Sequence, residues 1–335
     1  MLRRSIATMT TELFSRRALL AAISALALAP RSGLAQAGFP SKPITLIVPF
    51  GPGGIADLTA RAVAEQMGKS LGQAVVVDNR PSAGSIVASQ AVAAARPDGY
   101  TLLLLSNGNA VSVGLFKKLP YDTVKGFAPI TTLGYFDLGV FSASPGRFAT
   151  LRDAVAWAKA NPGKLNVGTI TPGSTQHLAA KLFETVAGID ALVVPYKGSP
   201  AVLTALRAGE IDLAFEIVGP MVSQVSAGVV KALAVSSDKR NPALPEVPTV
   251  QQAGVAGYNV ASWNALAAPA GTPADVIDKL GRAAREAVAS KDVQDRLARL
   301  GMRLQGSTPA EMQALLASEI QRWGAVIRAA RIEPE

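Results

Sequence analysis

Cysteine is absent from the 335 residues, which excludes a disulfide framework, a thiolate nucleophile, a cysteine-bound metal and a lipid-modified N-terminal cysteine. Histidine is nearly absent: there is only His177, so a metal site with two histidines is excluded and any triad must use this ring. Neither H-E-x-x-H nor G-x-x-x-x-G-K-[ST] occurs. Ser174 lies three residues before His177, but two residues so spaced in the first turn of one helix are better placed to bind and cap than to attack. Catalysis therefore has little support, and neither an enzyme nor a cofactor is expected. No run of Lys and Arg is interleaved with aromatics, which argues against nucleic acid as a partner.

Long apolar runs are also missing. Ala18 to Ala29 is too short to span a membrane as a permanent helix. It follows Arg16-Arg17 and precedes Leu34-Ala35-Gln36-Ala37, a small-residue cleavage site before Gly38, so residues 1–37 read as an export signal. Ser15-Arg16-Arg17-Ala18-Leu19-Leu20 resembles a twin-arginine signal, and the general secretory route stays open beside it. The expected location is the bacterial periplasm. The signal carries Arg3, Arg4, Arg16, Arg17 and Arg31 against Glu12, so removing it lowers the net charge from +9 to +5. That mild positive field favours an anionic small molecule.

What the sequence does have is a glycine-rich turn between a strand and a helix. Ile44 to Val48 is a β-branched run suited to a buried strand, and from Asp57 the residues Leu58, Ala62 and Met67 fall at helical spacing. Between them Phe50-Gly-Pro-Gly53-Gly54-Ile55 lets a ligand approach the backbone, and the helix N-terminus offers unpaired N–H groups to an anion. Gly51 to Ala56 also fits the dinucleotide pattern G-x-G-x-x-G/A, with Asp78 placed for a ribose hydroxyl. Pro49 and Pro52 remove two donors from such a loop, so a carboxylate suits it better than a pyrophosphate. A plain structural turn remains the third reading.

Strand then alternates with helix. Val75 to Val77 leads through Asp78-Asn79-Arg80-Pro81 and the small-residue loop Ser82 to Ser85 into a helix over 86–95, and a strand follows over 100–105. This predicts an α/β fold with a largely parallel sheet and ligands at the carboxyl ends of its strands, where Ser106, Asn107 and their neighbours offer hydroxyl and amide groups. Ile130 to Val140 reads as a crossover into a second domain. Thr150 caps a helix with Asp153 at its third position, and from Lys164 the opening theme repeats: strand 165–170, the loop Thr171-Pro-Gly173-Ser174-Thr175-Gln176-His177, then a helix. Strands follow at 191–194, 211–215 and 231–235, and 258–268 crosses back to the first domain. Thr272-Pro273 and Thr308-Pro309 predict capped helices near 273–289 and 309–329. The expected domains are 38–140 with 259–335, and 141–258.

Two such lobes joined by two crossovers make a hinged cleft with a helix N-terminus on each side. Main-chain N–H groups of about Gly53 to Ile55 and Gly173 to Gln176 would receive a ligand carboxylate. Asp57 either steadies its helix or accepts from a ligand hydroxyl or ammonium. Tyr196, Lys197 and Glu216 either line the cleft or are solvated, and Trp263 in the return crossover is either a hinge or cleft wall or a core aromatic.

The combination of Pro49-Phe50 through Gly53-Gly54 to Asp57, Asp78-Asn79-Arg80-Pro81, Pro97-Asp98-Gly99-Tyr100, Gly173-Ser174 with His177-Leu178, Pro195-Tyr196-Lys197-Gly198 and Ala268-Pro269-Ala270-Gly271-Thr272-Pro273 resembles the Bug-type substrate-binding proteins of tripartite tricarboxylate transporters. The resemblance covers essentially all of the chain after the signal. It implies a two-lobed periplasmic binding protein fold, type II-like, that closes over a small carboxylate and docks on a membrane permease of one small and one large subunit. Carried onto this chain it points to Gly53, Gly54, Asp57, Ser106, Gly173, Ser174, Thr175 and His177. With the residues beside them, Phe50, Ile55, Ser85, Asn107, Tyr196, Lys197 and Glu216, these make up the expected ligand site of a monomeric receptor. Ser82 and Ser85 replace expected glycines, and Glu216 stands where aspartate is usual. An exported dinucleotide-binding oxidoreductase is the alternative, and a periplasmic sensor partner shares the binding chemistry.

Overall fold

The computed structural model describes residues 38–170, 172, 174–329 and 332–334. The signal expected over 1–37, and Thr171 and Gly173 of the second loop, lie outside the described residues. Lys42–Glu335 group as one unit and the segment ending at Ser41 as another, of which 38–41 are described and hold neither helix nor strand.

The first strand, β1 (Ile44–Val48), is buried along almost its whole length, as a β-branched run with helices to cover it should be. It pairs in parallel with β2 (Val75–Asn79) and β3 (Thr101–Ser106). Helix α1 (Ile55–Leu71) connects β1 to β2 and ends at Gly72 in the left-handed conformation. Helix α2 (Ile86–Ala93) precedes β3, and α3 (Asn107–Leu115) follows it. The expected strand-helix alternation is thus present, with one helix, α3, that the sequence reading did not include. Gly108 and Gly114 disfavour α3 in isolation. Packing explains its presence, because a Cβ on Gly114 would lie 2.9 Å from Ile327 Cδ1 and 3.5 Å from the Gly324 backbone, so glycine lets α3 approach the C-terminal helix α10 (Pro309–Ala329) closely.

Strand β4 (Phe127–Ala143) ties the architecture together. Its first part, Phe127–Asp137, lies antiparallel to β9 (Ala261–Pro269) and to the short β10 (Met302–Leu304). Its second part, Leu138–Ala143, lies antiparallel to β7 (Leu213–Ile217) and β8 (Val230–Val235). One sheet therefore runs β2-β1-β3-β9-β4, and the other continues from the far end of β4 through β7 and β5 (Leu165–Ile170) to β6 (Ala191–Tyr196). The stretches read from the sequence as crossovers, 130–140 and 258–268, lie in β4 and largely in β9. On the second sheet, α4 (Leu151–Ala160) begins with Thr150 and Asp153 capping each other reciprocally. Helix α5 (Thr175–Ala187) follows β5, α6 (Ser199–Ala208) follows β6, and α7 (Val218–Ser226) follows β7.

The C-terminal portion holds α8 (Ala274–Ala289), α9 (Lys291–Ala298) and α10, with β10 between the last two. Thr308 caps α10 as expected: its hydroxyl accepts from the Glu311 N–H (3.2 Å) while Glu311 accepts from the Thr308 N–H (2.8 Å). Thr272 does not cap α8. Its hydroxyl donates back to the Pro269 carbonyl (2.7 Å), because the helix starts one residue later than the motif suggests. The core of the second sheet centres on Phe183, whose ring meets Phe215 at 5.4 Å and Tyr258 edge-on at 5.8 Å. The buried Tyr258 hydroxyl donates to the Ala179 carbonyl (3.0 Å), which satisfies the one polar atom of that ring.

Candidate functional site

The loop between β1 and α1 is held from behind. Gly53 has φ +82°, a conformation that favours glycine, and its N–H donates to Oδ2 of Asp57 (2.9 Å). The same oxygen accepts from Arg61 Nε (3.0 Å), and Oδ1 accepts from Asn79 Nδ2 (2.9 Å). Asn79 Nδ2 also donates to the Phe50 carbonyl (2.9 Å), and Arg61 Nη2 closes the ring by donating to Asn79 Oδ1 (2.9 Å). Burial alone would raise the Asp57 carboxyl, but the hydrogen bonds from Arg61, Gly53 and Asn79 outweigh it and hold the group below the ordinary carboxylate range. Of the two roles open to Asp57 in the sequence, its contacts are those of a brace for the loop and the first turn. The Gly53 N–H is consumed inward, whereas Ile55 and Ala56, in the first turn of α1, have no intrahelical acceptor for theirs. Phe50 and Gly51 to Gly54 are exposed.

Ser85 and Ser106 both lie beside Gly108 in the first turn of α3. Both are buried, and a Cβ on Gly108 would lie 3.4 Å from the hydroxyl oxygen of each. Ser85 itself has φ +60°. The Ser106 N–H donates to Asn109 Oδ1 (3.0 Å), and Asn109 Nδ2 donates to the Ser89 hydroxyl (2.7 Å). Asn107, fully buried, joins the two halves of the protein: its Nδ2 donates to the Thr175 hydroxyl (3.1 Å) at the start of α5, and its Oδ1 accepts from Trp323 Nε1 (2.7 Å) on α10.

On the second sheet Ser174 caps α5 by accepting from the His177 N–H (3.1 Å). Burial, and then the charge of Lys181, keep the His177 imidazole below its ordinary value, so the ring is neutral near pH 7. Glu216, the penultimate residue of β7, is buried. Its Oε2 accepts from the Ser199 hydroxyl (2.8 Å) and, at 3.5 Å, from Gln176 Nε2, while Oε1 has no partner among the described residues. Burial pushes this carboxyl up. Tyr196 is half-buried with its ring against Gly168, and Lys197 is exposed. Gly173 is outside the described residues.

Twelve of the sequence-predicted residues therefore fall into four groups: the braced loop with Phe50, Gly53, Gly54, Ile55 and Asp57; Ser85 and Ser106 beside Gly108; the Asn107–Thr175 bridge beside Ser174 and His177; and Glu216; Tyr196 and Lys197 join none of them, and Gly173 lies outside the described residues. Sequence reasoning missed the braces Arg61 and Asn79, although Asn79 lies inside the Asp-Asn-Arg-Pro motif. It also missed Gln176 and Ser199 as Glu216 partners. A further omission is Asn264, directly opposite Ser106 across β3 and β9, which is fully buried with neither amide atom partnered among the described residues. A polar residue inside the apolar run 260–268 was the available signal.

Two features count against chemistry of other kinds. Asp78, the acid a dinucleotide would need, is paired with Arg80 (2.8 Å). A G-x-S-x-G spacing does occur at Gly68 to Gly72, but Ser70 is exposed in the last turn of α1 rather than held at a strand-to-helix elbow. Among the described residues no helix is long and apolar enough to cross a membrane.

Residues 59–332 match the sequence profile described as tripartite tricarboxylate transporter family receptor. The chain is 38% identical over 315 residues to a UPF0065 protein of the tcbD-tcbE intergenic region of Pseudomonas sp. strain P51, covering 93% of this chain and 94% of that one. Among solved structures it is similar to the periplasmic binding protein BugD (TM-score 0.78, 30% identity, 89% of this chain and 100% of that one). It is also similar to Rhodopseudomonas palustris Rpa4515 solved with adipate (0.80, 32%, 89% and 100%) and to MatC of the same organism solved with malate (0.75, 32%, 86% and 100%). The architecture is accordingly that of the two-lobed periplasmic binding proteins.

Proposed function

Because this chain belongs to the tripartite tricarboxylate transporter receptor family, whose members are substrate-binding receptors rather than enzymes, we propose that it captures a small di- or tricarboxylate, or a related organic acid, between two lobes in the periplasm and hands it to a membrane permease of that family. The lobes are 38–140 with 259–335, and 141–258, and the protein acts as a monomer. The observation that carries this reading is the Asn107–Thr175 hydrogen bond, which brings the N-terminal turns of α3 and α5 together across the chain's two sheets.

The ligand's carboxylates take the free N–H groups at the starts of α1 and α5, where each charge-assisted bond contributes roughly 1.5–3 kcal/mol. Phe50, Gly53, Gly54 and Ile55 form one wall, braced by Asp57. Ser85, Ser106 and Asn107 form the floor, and Gly173, Ser174, Thr175, His177, Tyr196 and Lys197 the opposite wall. Glu216 with its raised carboxyl stays protonated over a wider pH range than an ordinary glutamate, so it can donate to a ligand oxygen without repelling it. The carboxylates in two related structures, adipate and malate, agree with this chemistry.

The test is calorimetric titration of ligand-stripped protein with four- to six-carbon dicarboxylates, citrate and nicotinamide dinucleotides. Carboxylate binding that weakens in Ser174→Ala supports the receptor. Dinucleotide binding with silent carboxylates sinks it in favour of an oxidoreductase. Co-purification with the two permease subunits, in preference to a sensor protein, tests delivery.

A further inference from the structure

Helix α7 starts directly after β7 on the second sheet, and its second residue, Gly219, lies against the turn between α9 and β10, a strand of the first sheet. A Cβ on Gly219 would overlap the Leu300 carbonyl oxygen, and it would lie 2.8 Å from the carbon of that carbonyl and 3.3 Å from Ile55 Cδ1. A Cβ on Gly301 would in turn lie 3.6 Å from the Gly219 backbone. Main chain thus meets main chain between the two sheets. The third member of the contact, Ile55, is the first residue of α1, and its N–H has no intrahelical acceptor.

Both sides of this contact are held from behind. Val218 is buried, and β7 ahead of it pairs with β4 at Ile217 and with β5 at Leu213. Opposite, Met302 to Leu304 pair with β4, Arg303 Nη2 donates to Asp137 Oδ1 (3.2 Å), and Met302 Sδ lies 3.0 Å from the Thr59 hydroxyl one turn into α1. The φ of Gly219 is not positive, so close approach rather than backbone conformation is what calls for glycine here. A carbonyl oxygen cannot swing aside as the end of a flexible side chain can. A side chain at 219 is therefore accommodated most readily by moving one sheet with its helices relative to the other. The contact lies on the ligand side of β4, since it includes Ile55. Asn241 Nδ2, by contrast, donates to Asp137 Oδ2 (2.8 Å) where β4 passes from one sheet to the other. Rotation about that point keeps Asn241 near Asp137 and parts Gly219 from Leu300.

We propose that Gly219 is a positioning residue for ligand capture: its missing side chain lets α7 seat against Leu300 and Ile55 as the lobes close, which sets how far they close. Seating α7 also brings Glu216, three residues earlier, towards the start of α1. Gly219 acts through Leu300 and Ile55 and not on the ligand itself. The proposal rests on the two-lobed receptor reading given above.

The experiment compares the full chain with Gly219→Ala and Gly219→Val by three measurements: calorimetric titration with malate, adipate and citrate, urea denaturation without ligand, and small-angle scattering with and without it. Gly219→Ala should weaken binding of whichever acid the wild type takes by at least about tenfold, and Gly219→Val by more. The urea midpoint without ligand should stay at the wild-type value, because open lobes relieve the overlap. At saturation both variants should keep a larger radius of gyration than saturated wild type. Unchanged affinity in both variants overturns the proposal. So does a ligand-free midpoint that falls with affinity, or a variant that does not fold, because the contact then belongs to the ligand-free fold. Weaker binding with wild-type compaction is equally fatal, since closure is then complete despite the added side chain. A wild-type chain that takes none of the three acids sinks the receptor reading and this proposal with it, whereas the other adverse results leave that reading standing.

Discussion

Two buried carboxylates show how environment assigns opposite duties to similar side chains. Asp57 is held by Gly53, Arg61 and Asn79 and titrates below the ordinary range. Its folded value is lower than its unfolded one, so its contribution to stability is present above about pH 4 and is lost as pH falls through the lowered value. Asn79→Ala removes bonds to both Asp57 and the Phe50 carbonyl, and it should lower stability by roughly 1–3 kcal/mol in urea denaturation and weaken carboxylate binding. Unchanged affinity would remove the brace from the binding function. Glu216 has the reverse sign. Its carboxyl is raised by burial, so its contribution is full below the ordinary carboxylate range and is lost as pH rises through the elevated value. Glu216→Gln keeps the Ser199 contact and cannot ionise, so the variant should gain stability over wild type as pH rises, and its ligand affinity should lose part of the wild-type pH dependence. Melting curves and titrations across pH check both. His177 adds a third window. Its ring is depressed by burial, so its contribution is present above about pH 6.5 and is lost as pH falls through the depressed value.

At the scale of elements, the strands and helices with strong periodic or capping signals were legible. Ile44–Val48 and the Thr150–Asp153 and Thr308–Glu311 boxes all stand where the sequence put them. Helices α3 and α7 were not legible, because Gly108, Gly114, Gly219 and Pro220 speak for a turn locally and only tertiary packing reverses that preference. Packing makes a specific demand at Gly114, which faces Ile327 and Gly324. Gly114→Val should force α3 and α10 apart at a cost of about 1–3 kcal/mol, whereas Gly114→Ala, smaller but still within 2.9 Å of the movable Ile327 methyl, should cost less. Equal effects of the two would mean that the contact is not tight. The candidate site was partly legible for the same reason. Glycine and hydroxyl loops announce helix N-termini, so Gly53, Ser106 and Ser174 could be named. The partners Arg61, Gln176 and Ser199 could not, since their roles arise from register and from neighbours distant in sequence.

For the whole molecule, the question is what couples the two sheets when a ligand arrives. Apart from the strands that run between them, Asn107 is placed to do this, fixed on one side by Trp323 and reaching Thr175 on the other. Trp323 keeps a second acceptor in Glu319 (2.8 Å), so Asn107→Ala leaves that indole satisfied and removes chiefly the cross-lobe bond. A neutral hydrogen bond contributes about 1 kcal/mol, which corresponds to roughly a fivefold loss of affinity if the bond exists only in the closed form. Thr175→Val should cost about the same, and the double variant no more than either single one, because both delete one interaction. Small-angle scattering should show the liganded single variants closing less completely than wild type. If instead the two effects add in full, Asn107 and Thr175 act through separate contacts, and closure must be driven by the ligand's own bonds to the starts of α1 and α5.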